Sequence, residues 1–190
     1  MFENLGAKEL EQIFNLSVES EKVKRIIDEE KDTESIRVLQ DHAFGEYWNR
    51  KLKKAKTLSD KEISYIFNYL HFPTAEGILG EAAKMGLINI KQCADLLGKI
   101  KKNGWAFRAI QSRILLDEII GKKLNSQKKE KILDEFIDFR MTWAIIEAIP
   151  VLENEELNKI EKKMDNSSIL NRGNRHLIRE KIKEIIKRKK

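Results

Sequence analysis

Apolar residues in this chain recur at i, i+3, i+4 and i+7, the spacing that lines one face of an α-helix. Ile63, Ile66, Phe67 and Leu70 follow it, as do Cys93, Leu96, Leu97 and Ile100. Ile132, Leu133, Phe136 and Ile137 repeat it and continue through Phe139, Trp143 and Ile146. Leu157, Ile160 and Met164 mark a further helix, and Ile178, Ile182, Ile185 and Ile186 the last. No stretch sustains the two-residue alternation of a strand; the nearest, 35–40, reads equally well as helix. Helices with one apolar face bury it against other helices. The expected fold class is therefore all-α, built from stacked antiparallel helix pairs as a solenoid or an irregular helical bundle.

Helix starts and stops refine this picture. Ser59 with Glu62, and Asn89 with Gln92, have the spacing of a capping box, in which each side chain satisfies an N–H of the first turn. Pro73 suits the first position of a helix. Gly86, Gly104 and Gly121 suit helix ends closed in the left-handed conformation, and Asn103-Gly104 reads as a helix stop. The spacing predicts helices at 6–16, 20–31, 33–55, 60–71, 74–85, 90–102, 105–120, 126–149, 154–165 and 174–190. Short connections place successive helices side by side. With no Gly/Ser-rich or Pro-rich linker, residues 1–190 are expected to form one all-helical domain, with 165–174 as its longest polar break. Trp48, Trp105, Trp143, Phe67, Phe107, Phe136 and Ile146 are expected in or near the core.

Composition excludes several classes. With 41% apolar residues among 190, the chain has enough apolar surface for a core and is not disordered, although 36% of it is charged. A single cysteine, Cys93, excludes a disulfide framework and a multi-cysteine metal site. No apolar run reaches the length of a membrane-spanning helix, and the first residues lack the pattern of a signal peptide. A cytoplasmic protein is expected. The net charge of +6 is concentrated: residues 172–190 hold nine basic and two acidic side chains, while 1–171 hold 28 basic and 29 acidic. The basic character belongs to one segment, which is where an anionic partner is sought.

Trp105-Ala106 and Trp143-Ala144 lie 38 residues apart, Phe67 another 38 upstream, and each tryptophan opens a helix-like run. This period, with Pro150 inside an apolar helix, resembles HEAT-type helical repeats over about 60–190. Residues 60–121 hold a second resemblance. The stretch GILGEAAKMGLI, followed by a helix and Asn103-Gly104-Trp105, is similar to the late segment of PIN-domain nucleases. That resemblance places Asp60 near the family's late acidic position and implies a metal-dependent nuclease. Its catalytic half, a parallel sheet with further carboxylates, has no counterpart in residues 1–58, and no metal ligand is carried over.

Few constellations suggest chemistry. His42, His71 and His176 are not spaced as metal ligands. Cys93 lies on an apolar face and reads as a buried thiol. Arg172 and His176 resemble the Arg…His pair of HEPN ribonucleases, with a shorter spacing than that family uses. Carboxylates cluster at Asp28-Glu29-Glu30, at Asp134, Glu135 and Asp138, and at Glu153, Glu155 and Glu156, and read as solvated faces. No phosphate loop or nucleophile elbow is present. The expected protein is therefore a binding or adaptor module rather than an enzyme, without cofactor, metal or small-molecule substrate. Its expected partner is nucleic acid, held by the phosphate backbone, or an acidic protein. The contacting residues are Arg172, Arg175, Arg179, Lys183, Lys187 and Arg188 on the last helix, with Lys101, Lys102 and Arg108 as a second patch. A divergent nuclease and a structural, antitoxin-like partner module are the alternatives.

Overall fold

The structure, a computed structural model, describes residues 2–30, 32–102, 104–166 and 169–188; for Asn166 it describes the backbone alone. Asn103, Lys189 and Lys190, which the readings above include, lie outside the described residues. The described chain is all-α and carries no strand. Its contacts divide it into two compact units, Met1–Ile88 and Asn89–Lys190.

In the first unit a short 3-10 turn, Phe2–Asn4, precedes α1 (Ala7–Asn15), α2 (Glu21–Asp28), α3 (Thr33–Leu52), α4 (Asp60–Asn68) and α5 (Pro73–Lys84). The long helix α3 is its axis, packed by α1 on one side and α5 on another. The Phe14 and Phe44 rings meet edge-on at 5.3 Å, and Phe44 stacks on Tyr69 at 4.9 Å. Trp48 is fully buried beside Phe44. Gly45 faces the Thr74 side chain at the start of α5, where a Cβ would make an ordinary van der Waals contact of 3.4 Å. The Asp41 carboxylate accepts from the Thr74 amide (3.1 Å) and hydroxyl, so it serves as a cap on α5. Arg50 donates to the carbonyls of Leu5 (2.6 Å) and Phe2 (2.9 Å), fastening the N-terminal turn to α3.

The second unit comprises α6 (Ile90–Leu97), α7 (Trp105–Gly121), α8 (Ser126–Asp138), α9 (Thr142–Ala148) with a 3-10 turn at Ile149–Val151, α10 (Asn154–Asn166) and α11 (Arg172–Arg188). Helix α7 packs on α6, α8 and α9; α11 packs on α9, on 149–151 and on α10. Their shared core includes Leu116, Phe136, Ile145, Leu157, Met164, Ile178 and Ile182.

Both expected capping boxes form, at Ser59/Glu62 and Asn89/Gln92, and Pro73 is the first residue of α5. Gly86 takes a left-handed φ of 72°, and the Leu87 amide reaches back to the Ala82 carbonyl (2.9 Å) to close α5. Several expectations are corrected. The run 126–149 is two helices. Arg140 adopts a left-handed φ of 59°, and the Met141 amide donates to the Phe136 carbonyl (2.8 Å), closing α8 without a glycine. Gly104 is not a left-handed stop: with φ −70° it is the N-cap of α7, while Gly121 is the last residue of that helix. Helix α6 ends at Leu97, five residues early, and α11 begins at Arg172 because the Asn171 side chain accepts from the Asn174 amide (2.8 Å). Trp105 is not core: it is 42% exposed. Trp143, Phe67, Phe107 and Ile146 are half-buried, and Trp48 and Phe136 are buried. The side chains buried at the two Trp-Ala pairs are the alanines, Ala106 and Ala144.

Candidate nucleic-acid interface

Helix α11 has two chemically distinct sides. Ile178, Ile182 and Ile185 are buried and dock it into the core of the second unit. Arg172, His176, Arg179, Lys183 and Lys187 follow one another at steps of four, three, four and four residues. At 100° per residue they fall within about 80° of one another, on the side away from the isoleucines, and span about 22 Å along the axis. Arg172, His176, Lys183 and Lys187 are exposed, and Arg179 is half-buried. Six basic residues of this helix were expected to contact the partner: Arg172, Arg175, Arg179, Lys183, Lys187 and Arg188. The structure sorts them into this row and two that leave it: Arg175 turns toward α10, where its guanidinium reaches the Met164 carbonyl (3.5 Å), and Arg188 pairs with Glu184 (2.6 Å).

The row is partly neutralised from within the chain. Arg179 pairs with Asp165 of α10, and Lys183 pairs with Glu180 (3.0 Å). The lysine lowers the Glu180 carboxyl below its ordinary range by hydrogen bond and by charge, and His176 and Lys187 add to this. Off the row, Lys181 pairs with Glu184 (2.8 Å) and holds that carboxyl low by its hydrogen bond. Arg172 and Lys187, at the two ends of the row, make no ion pair among the described residues. Exposed pairs of this kind are worth little and exchange readily for a stronger anion.

Lys101 and Lys102 are exposed in the connection between α6 and α7, and Arg108 is half-buried at the end of the first turn of α7. The principal neighbours of α11 are α9, residues 149–151 and α10, and neither α6 nor α7 is among them. Two features of the patch were missed in the sequence. Between Asp95 and Asp117 the chain has no carboxylate but holds Lys99, Lys101, Lys102, Arg108 and Arg113. Trp105, exposed, sits among them. The gap in acidic residues was readable; the exposure was not.

Several of the remaining candidates have structural partners. Glu156 is buried, accepts from the Glu153 amide (2.9 Å) at the start of α10 and pairs with Lys129 (3.2 Å). Asp134 pairs with Lys163 (2.6 Å), which also holds Glu130 (3.0 Å). No group of three metal-ligating side chains occurs among the described residues. The Cys93 thiol is buried, and burial pushes its pKa up to about 11, against a smaller opposing effect of Arg113. Asp60 stands in the first turn of α4, directly after the Ser59 cap. Among the described residues no helix is long and apolar enough to cross a membrane. Comparison with family models, with curated proteins and with solved structures returns no match.

Proposed function

We propose that this protein is a non-catalytic binding module that takes the phosphate backbone of a nucleic acid along the exposed row of α11. The observation that carries the reading is the placement of Arg172, Arg179, Lys183 and Lys187 on one strip of a helix whose opposite side is fixed in the core. A docked helix holds its cations in place before binding, so less ordering entropy opposes the complex. Four cations over about 22 Å match a polyanion whose charges repeat every few ångströms. Phosphate contacts of this kind position a protein without reading bases, so little sequence preference is expected.

The test is fluorescence-anisotropy binding to duplex and single-stranded DNA and RNA. Deleting residues 172–190 would remove Ile178, Ile182 and Ile185 from the core, so charge substitutions are the right perturbation. In Arg172→Gln/Lys187→Gln the row loses the two cations that make no internal ion pair, and the helix keeps its isoleucines. Binding weakened roughly 10-fold or more, with an unchanged circular-dichroism melt, supports the proposal. Equal duplex binding by the variant and the parent at low salt sinks it.

A further inference from the structure

Trp105 opens α7 in a conspicuous setting. The stripe buried along this helix, through Ala109, Ser112 and Leu116, also runs through position 105, yet the indole is 42% exposed at the helix end. The other two tryptophans are buried (Trp48) or half-buried (Trp143). The Gly104 amide donates to the Lys101 carbonyl (3.4 Å), which brings the Lys101 backbone to the N-cap of α7. Arg108 is three residues beyond Trp105 and shares its side of the helix. Buried Ile100 anchors the turn, with exposed Lys99 before it. Lys99, Lys101, Lys102 and Arg108 make no ion pair among the described residues, in contrast to Arg179 and Lys183 of the α11 row.

From this arrangement we infer that the start of α7, with the two lysines just before it, is a platform for single-stranded nucleic acid, on which a base stacks against Trp105 while Lys101, Lys102 and Arg108 hold the flanking phosphates. The inference rests on the nucleic-acid reading above and names the strand form that this second surface takes. An exposed planar ring with basic residues three and four positions before it and three after it fits a ligand that alternates flat apolar faces with anionic charges. An apolar protein patch fits it less well: the other large apolar side chains exposed in this unit, Ile120, Val151 and Leu177, stand on other elements or at the far end of α7. In a duplex the base faces are already stacked on one another, so the indole adds nothing there. Stacking of one base on an aromatic ring is worth about 5- to 100-fold in affinity and tolerates any base.

The experiment titrates the full chain with an oligothymidine and an oligouridine of about 12 nucleotides, and with a duplex of the same length, at low salt. It follows tryptophan emission and the anisotropy of a labelled strand. The expected result is quenching by the single strands, a loss of about 5- to 100-fold in single-strand affinity for Trp105→Ala, a smaller loss for Trp105→Phe, and duplex affinity within about 2-fold of the parent. A circular-dichroism melt matching the parent's qualifies each variant for the comparison. Single-strand affinity unchanged in Trp105→Ala overturns the inference. So does duplex binding without single-strand binding, which leaves the α11 reading standing. Trp105-dependent single-strand binding that Arg172→Gln/Lys187→Gln leaves intact supports the platform and removes the row from it. Binding of neither form overturns both readings.

Discussion

Lowering the pH should release a defined part of the stability of the first unit through Glu62. Its carboxylate accepts from the Ser59 amide (2.8 Å) and hydroxyl (2.7 Å) and pairs with Lys51 (2.8 Å), whose ammonium also lies 4.8 Å from the Trp48 ring. The Lys51 hydrogen bond, followed by those of Ser59, lowers its pKa from 4.5 to about 2. A folded carboxyl held low means that the unfolded chain takes up the proton first as acid is added. The contribution is therefore complete above pH 4.5 and is lost as the pH falls toward 2. Linkage at 1.36 kcal/mol per unit sets a ceiling of about 3 kcal/mol, and solvent screening of this partly exposed pair reduces it to about 1–2 kcal/mol. Urea unfolding followed by tryptophan emission, in which Trp48 reports on this unit, should show Glu62→Gln less stable by that amount at pH 7. The gap should close steadily below pH 4.5. A gap that stays constant from pH 7 to pH 2 would refute the reasoning, since the loss would then come from packing and not from charge.

Three further outcomes follow from the packing. Ile182 is fully buried where α11 meets the core, so Ile182→Ala should cost about 2–5 kcal/mol in a denaturant melt, and a 1–171 fragment should lose the cooperative unfolding of the second unit. Arg140 pays for a left-handed φ that glycine adopts freely; Arg140→Gly should stabilise by about 1 kcal/mol, whereas Gly86→Ala should destabilise by a similar amount. Ser112 is fully buried with a hydroxyl that meets no partner among the described residues, so Ser112→Ala should raise the melting temperature by a few degrees.

The features legible in the sequence were those whose chemistry closes within a few residues. A capping box needs only Ser59 and Glu62, three apart, and both boxes formed as spaced. The apolar face of α11 was readable because it repeats at the helical period. The break between α8 and α9 was hidden: neither glycine nor proline marks it, the apolar pattern runs straight through, and an arginine takes the strained conformation. Trp105 misled for a related reason. Periodicity assigns it to the buried stripe, but a stripe is buried only where a partner helix covers it, and the first residue of α7 overhangs that cover. In the candidate interface, the steps that align Arg172, His176, Arg179, Lys183 and Lys187 were present in the sequence. The pairing of Arg179 with Asp165, and the turn of Arg175 toward α10, depend on how α10 and α11 meet, which no local pattern encodes.

The central claim is that α11 binds by displacing counterions from phosphates, and the salt dependence of duplex binding measures that directly. Four row cations engaging four phosphates predict a slope of log K against log salt near −3.6, at about 0.9 per contact. Arg172→Gln/Lys187→Gln should reduce it to about −1.8. A slope near zero in the parent, or one that the double substitution leaves unchanged, would contradict the account and return α11 to a helix that serves only the core.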